Sequence, residues 1–323
     1  MPGLSAGGAA ASGPLAERRP HRLKSLRKSL RKNWDLYLLI APVLAYFIVF
    51  HYFPMYGLQI AFKNFVAVKG IWGSPWIGLD HFQRFFDSYY FGRLIKNTLG
   101  ISLYELAVGF SAPLLLALMI NEVRRKTFRK LVQTVTYAPH FLSTVVLVGM
   151  VMMFLSPQKG IVNHILVFLG GHSVSFMTEP EWFKTIYVFS GVWQSAGWGS
   201  IIYLAALAGI DQGLHEAAII DGASRLRRIW HINLPGILPT IVILLILNLG
   251  NVMGVGFEKV YLMQNNLNKE SSDVIATYVY QMGILGAQYS FSAAVGLFNS
   301  VVNFVLLIGV NAFARRMNDT SLW

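Results

Sequence analysis

The residues of this sequence that could do chemistry fall in one polar segment and in a few polar positions set inside long apolar blocks. The polar segment begins Asp211-Gln-Gly-Leu-His-Glu216-Ala217-Ala218-Ile-Ile-Asp221-Gly222-Ala223 and runs past Arg225, Arg227 and Arg228 to Ile232-Asn-Leu234-Pro235. It reads as a helix, a glycine break, a second helix and a proline stop. Glu216 lies near the start of the first helix, where the dipole favours a carboxylate. Ala217 and Ala218 leave that face nearly bare, so another protein can approach closely. Gly222 can take the left-handed conformation that ends a helix, and Ser224 can cap the next one. Such a segment is built for protein contact and not for bond making. The sequence has no cysteine, which removes disulfides, thiolate metal sites and a cysteine nucleophile. No Gly-x-x-x-x-Gly-Lys-Ser/Thr phosphate cradle occurs in it, and the histidines form no ligand pattern.

Inside the apolar blocks stand Trp193, Gln194, Ser195, Trp198 and Tyr203, then Asn248 and Asn251 with Gly250 and Gly254. Polar side chains within a membrane are costly and face either a pathway or a neighbouring helix. Both readings apply to these residues, to the lone carboxylate Glu105, and to Asn299 and Asn303. Glu258, Lys259 and Lys184 fall at the ends of blocks and mark a membrane boundary, though Lys259 could also meet an acidic sugar.

The elements that must position these residues are apolar helices. Hydrophobic residues make up 54% of the 323 and charged residues 13%, about half the charged share of a soluble domain. Six blocks are long enough to cross a bilayer, which takes about 20 helical residues: 35–53, 97–121, 133–155, 185–210, 237–257 and 291–314. The expectation is an all-α polytopic membrane protein with six transmembrane helices. The stretch 274–314 lacks charge and could hold two spans, but Tyr278, Tyr280, Gln281 and Gln288 favour a short external or re-entrant helix before one last span. Of the 27 Lys and Arg residues, 18 fall in the tail before residue 33, in 124–130, in 225–228 and at 315–316. By the enrichment of basic residues in cytoplasmic loops, both termini are inside. The net charge of +12 is thus topological and gives no ground for nucleic-acid binding.

Residues 1–34 form an N-terminal segment: polar and small before Ala16, with no signal-peptide core, then basic from Arg22 to Lys32. There Leu23, Leu26 and Leu30 recur at helical spacing, as in a helix lying on the lipid surface. Residues 35–323 form the membrane domain, with its core at 95–315. The aromatic external segment 54–95, with Trp72 and Trp76, suits the headgroup region or an external partner.

The order Glu-Ala-Ala, three residues, Gly222, nine residues, Ile232-x-Leu234-Pro235 resembles the signature of permease subunits of binding-protein-dependent, type I ABC importers. The stretches Phe50-His-Tyr-Phe-Pro-Met-Tyr-Gly57, Tyr137-Ala-Pro-His-Phe-Leu-Ser143 and Thr277-Tyr-Val-Tyr280 are similar to the carbohydrate branch, and within it to permeases for polysaccharide-derived oligosaccharides of the aldouronate and alginate types. The resemblance runs from Trp34 to Trp323; Ala138 departs from the more usual leucine.

It implies a type I permease fold with a coupling helix between spans four and five. Glu216, Ala217, Ala218, Asp221, Gly222, Ala223, Ile232, Leu234 and Pro235 would couple it to two ATPase subunits. ATP and magnesium would sit on those partners, leaving no cofactor and no catalysis in this chain. It further implies a second permease subunit, an extracytoplasmic solute-binding protein, and a multi-pass place in the lipid of the bacterial inner membrane. In maltose-type permeases the sugar meets span four shortly before this loop and the middle of the next span. Trp193, Gln194, Trp198, Asn248, Asn251 and Gly254 fall there, and aromatic faces with amides suit a carbohydrate. Another solute, such as glycerol phosphate or a peptide, a signalling or scaffold subunit, and an ion-driven carrier are the alternatives.

Overall fold

The structure, a computed structural model, describes residues 32–318. The small polar residues before Ala16 and nearly all of the basic amphipathic stretch 22–32 lie outside the described residues. By contacts the chain groups into two compact units, Met1–Gly57 and Leu58–Trp323.

In the first unit α1 (Trp34–Phe47) has no buried residue and is apolar all round, as suits a helix whose solvent is lipid. It continues into a π-turn, Ile48–Tyr52, just ahead of Pro54. A proline has no N–H for the carbonyl four residues back, and a π-turn absorbs the mismatch.

The second unit is built on two long helices, α2 (Phe91–Asn121) and α5 (Pro180–Ala208), packed along each other. Between them in sequence come α3 (Lys126–Tyr137) and α4 (Thr144–Phe154). After them come α6 (Gln212–Ile220), α7 (Arg225–Leu249), α8 (Phe257–Met263), α9 (Ile275–Tyr280) and α10 (Tyr289–Asn318). Three apolar clusters hold the unit. One joins Ile101, Val148, Phe183, Tyr187 and Val260. A second joins Phe85, Leu94, Ile275 and Phe291, and a third joins Ala117, Leu118, Tyr203, Leu207 and Ile237.

The six expected spans are not recovered as six straight helices. Among the described residues four helices are long and apolar enough to cross a membrane: Trp34–Phe62, Phe91–Asn121, Arg225–Leu249 and Tyr289–Arg316. The third expected block is a bent pair, Lys126–Phe141 and Thr144–Phe154, at 104°. The bend has a local cause: Pro139 opens a 3-10 turn, Leu142 is extended, and the Ser143 hydroxyl caps α4 by accepting from Val146 N–H at 3.3 Å. The fourth block, α5, has 29 residues and so a length of about 43 Å. It falls short in apolarity because its faces meet protein, with Ser190, Gly197 and Ser200 buried. The stretch 274–314 holds one long helix preceded by the short apolar helix Ile275–Leu285, which agrees with the single-span reading.

At the end of the molecule that bears α6, Arg129 closes α2. Its Nε donates to Ile120 O at 3.2 Å and its Nη2 to Asn121 O at 2.8 Å, which satisfies carbonyls that the helix leaves open. Hydrogen bonds from charged groups contribute about 1.5–3 kcal/mol. Arg129→Ala is therefore expected to lower stability by about 2 kcal/mol, or several degrees in the melting temperature of the detergent-solubilised subunit. An unchanged melting temperature would show that the cap is idle. Nearby, Arg228 Nη2 lies 3.9 Å from Glu122 Oε2, linking the 121–125 turn to α7.

Candidate functional site: a helix with an open face and an amide-lined cavity

The polar segment folds as a short helix with a defined end. Asp211 caps α6, its Oδ1 accepting from Gly213 N–H at 2.9 Å. Gly222, at φ +74, turns the chain out of the helix. Gly222 N–H donates to Ile219 O at 3.0 Å and Ala223 N–H to Ala218 O at 2.8 Å. This is the doubled hydrogen-bond pattern of a glycine-terminated helix, and it needs a residue that accepts positive φ.

Glu216, Ala217, Asp221 and Gly222 are exposed, Ala218 and Ala223 half-buried. Leu214, Ile219 and Ile220 expose 54%, 57% and 85% of their surface, an apolar end with no cover within this chain. Ser224 caps the following helix, accepting from Arg227 N–H at 3.4 Å.

The expected proline stop is absent. Arg225 to Leu249 is one continuous helix, widened into a π-turn at Ile229–Asn233 ahead of Pro235. The reason is the one seen at Pro54: the wider turn accommodates the missing N–H, so the helix survives its proline. Ile232 and Leu234 are half-buried there and Pro235 is exposed. The 211–224 segment is thus followed, after the Gly222 turn, by one unbroken helix.

A cavity of about 510 Å³ lies between α2, α5, the end of α7 and α8, within the size range of ligand sites. Gln194, Asn248, Asn251 and Gly254 line it, together with Ser102, Glu105, Gly109, Tyr187, Gly191, Ser195 and Lys259. Gln194 Nε2 donates to Leu142 O at 2.9 Å, tying α5 to the bend between α3 and α4. Asn248 Nδ2 donates to Leu244 O at 2.8 Å within its own helix. In each case the anchored NH₂ fixes the amide as a whole. Gly254 and the Asn251 amide lie close together, a Cβ at Gly254 meeting that amide.

Trp193 and Trp198, expected beside them, do not line this cavity. Trp193 borders an apolar groove with Met150, Phe154 and Phe189. Trp198 stacks on His140 at 4.6 Å with the rings 4° from parallel, so it braces the α3–α4 bend. Asn303 is a packing residue: its Oδ1 accepts from Met253 N–H at 2.9 Å. Glu105 lines the cavity.

Sequence reasoning missed Ser102, Tyr187 and Gly191, which carried no signal beyond being polar or small. It had assigned Lys259 chiefly to the boundary. Lys259 turns inward, its Nζ donating to Tyr187 O at 2.6 Å and lying 4.4 Å from the Tyr187 ring centroid.

A helical membrane protein that holds a polar cavity between two of its long helices has the build of a transport subunit. Residues 109–319 match the family of binding-protein-dependent transport system inner membrane components, and the chain belongs to that family as an integral inner-membrane permease of type I ABC importers.

Among its relatives, Protein LplB of Bacillus subtilis (strain 168) is 45% identical over 295 residues, covering 91% of this chain and 93% of the relative. The polygalacturonan/rhamnogalacturonan transport system permease protein YteP of the same organism is 43% identical, covering 94% of each chain. A chain in the crystal structure of a bacterial alginate ABC transporter, in complex with an alginate pentasaccharide-bound periplasmic protein, superposes with a TM-score of 0.86. It is 45% identical, and the match covers 92% of this chain and 99% of that one.

Proposed function

We propose that this chain is the permease subunit, non-catalytic itself, of an ATP-driven importer that carries an oligosaccharide across the inner membrane. Residues 35–323 form its translocating domain. It would work with a second permease, two ATPase subunits holding ATP and magnesium, and an extracytoplasmic binding protein. Both termini face the cytoplasm in this reading, supported by the clustering of basic residues around the 211–235 segment.

The observation that carries the proposal is a cavity lined by Gln194, Asn248 and Asn251 in the same helical unit as the open-faced α6. Amides both donate and accept, as saccharide hydroxyls do. The substrate class rests on relatives whose names and titles speak of polygalacturonan, rhamnogalacturonan and alginate. Docked on an ATPase, α6 would pass closure of the ATPases directly into α7. The cavity then opens alternately to the two sides, each state selected by the ATPase contact.

Uptake of labelled oligosaccharide by cells lacking the gene tests this. Loss of uptake, restored by the wild-type gene expressed from an unrelated promoter, is the expected result; persistent uptake in the deletion strain would make the chain a regulator. Asn251→Leu in the restored strain is expected to lower uptake at least about tenfold, because it removes an amide from the cavity and leaves hydroxyls unpaired. Full uptake by that variant would remove Asn251 from the pathway.

A further inference from the structure

Four cations, Arg93, Lys96, Lys184 and Lys259, follow one another along α2 and α5, and among the described residues none of them has an ion pair within 4.0 Å. Arg93 and Lys96 border a pocket of about 420 Å³ with Tyr89 and Glu270 at the first turn of α2. Arg93 lies over the rings of Tyr89 and Tyr90, at 5.6 and 5.4 Å. One turn on, Gly100 lets the Lys184 side chain lie flat against α2: a Cβ at Gly100 would be 2.9 Å from Lys184 Nζ. Lys184 is within electrostatic reach of Lys96, a like charge.

Two turns along α5 from Lys184, Gly191 does the same for the cation of α8. A Cβ at Gly191 would be 3.0 Å from Lys259 Nζ and 3.9 Å from Glu105 Oε1. At 1.5 Å per residue, Lys96 to Gly100 spans about 6 Å and Lys184 to Gly191 about 10 Å. The series ends in the amide-lined cavity, of which Lys259 is part.

The carboxylates near it are Glu105 in the cavity, and Glu270 and Asp273 at the mouth. Burial pushes the Asp273 carboxyl up, while the charges of Lys269 and Arg93 pull it down. Asn97 holds the chain that carries these two, its Nδ2 donating to Glu270 O at 2.8 Å and Asp273 O at 3.1 Å. Among the described residues the one ion pair within 4.0 Å is Glu122 with Arg228. Lys259 uses one of its three N–H donors on Tyr187 O and has two left for the cavity. Lys96 and Lys184, like charges within reach of each other and in no ion pair within 4.0 Å, favour an anion between them.

We propose that Lys184 and Lys259 are specificity-determining residues of this permease, taking the carboxylates of an acidic saccharide in turn as it passes from the Arg93–Lys96 mouth into the amide-lined cavity. The proposal rests on the transport reading above. Glu105 is the internal counter-charge that Lys259 faces when the cavity holds no substrate, and the saccharide carboxylate takes over that role on arrival. The amides select for hydroxyls in general; the two lysines select for charge.

The test compares an oligogalacturonate with the same oligosaccharide whose carboxyls have been reduced to alcohols, as substrates for the complete complex in its native cells. The readout is the ratio of acidic to neutral uptake. Lys259→Gln and Lys184→Gln are each expected to lower that ratio at least about tenfold, and Lys259→Arg to restore most of it. A merely structural role would move both substrates together and leave the ratio unchanged, which overturns the proposal. Should Lys259→Gln prevent assembly, Lys184→Gln carries the same readout. Uptake of neither substrate by wild-type cells overturns the transport reading and this assignment with it, whereas normal uptake with an unchanged ratio overturns this assignment alone.

Discussion

A Gly222→Val subunit is expected to assemble into its membrane complex and to transport at less than about a tenth of the wild-type rate. The effect of the substitution is conformational. Gly222 sits at φ +74, and a Cβ there would meet nothing within 4 Å, so the substitution brings no clash. What it brings is backbone strain: the left-handed region costs an ordinary residue about 1–2 kcal/mol, and a β-branched one is a true outlier there. The chain relieves that strain by giving up the bonds Gly222 N–H to Ile219 O and Ala223 N–H to Ala218 O. The end of α6 then frays beside the exposed Ile219 and Ile220. No cluster of the apolar core includes α6, so folding is spared. A loss of about 1.4 kcal/mol in the coupling step proposed for α6 is tenfold in rate. Substrate-stimulated ATPase and uptake, measured together, check this; full values for both would remove Gly222 from the coupling contact.

Gly197→Leu is expected to act on the opposite property, assembly of the fold. A Cβ at Gly197 would overlap the Thr136 carbonyl of α3, and its partner is backbone with no rotamer to move out of the way. The two helices would have to separate. Overpacking costs about 1–3 kcal/mol where side chains can shift and more where they cannot. Separation would also pull apart the Gln194 to Leu142 bond and the Trp198–His140 stack, which lie on either side of Gly197 along α5. The expected result is little or no folded subunit in the membrane fraction. Gly296→Ala, in α10 with nothing within 4 Å of its Cβ, is the matched control and should accumulate normally. Equal accumulation of the two would mean that α3 and α5 are less closely packed than this structure has them.

Much of this was legible in the sequence, for identifiable reasons. Blocks of uncharged residues mark lipid-facing helices because charge is costly there, and α2 and α10 fall where the blocks are, whereas α7 starts ahead of the block 237–257, at Arg225, and ends at Leu249. The end of α6 was legible because it depends on one local residue type, Gly222. The π-turns at Ile48–Tyr52 and Ile229–Asn233 were not: a proline reads locally as a stop, and only the packing of the flanking helix decides that the chain goes on. The 104° bend at Leu142 was hidden because the block 133–155 is uniformly apolar and tells nothing of direction. The cavity was half legible. Gln194, Asn248, Asn251 and Gly254 are amides and a small residue in costly surroundings, a signal that needs no partner. Trp193 and Trp198 carried the same signal and lie elsewhere, since an aromatic ring fits a groove or a stack as well as a sugar. Lys259 was read from its position beside a block, whereas Tyr187 and Gly191 of a distant helix turn it inward.

The central claim is that an oligosaccharide passes through this subunit under the drive of ATP hydrolysed on partner chains. Proteoliposomes holding the complex, purified through a tag on this chain, test it most directly, with labelled oligosaccharide and its binding protein on the outside. ATP enclosed in the lumen should drive accumulation, and neither an imposed proton or sodium gradient nor a non-hydrolysable ATP analogue should replace it. Accumulation driven by an ion gradient with no nucleotide, or none with ATP in a complex that contains this chain and its ATPases, would contradict the account.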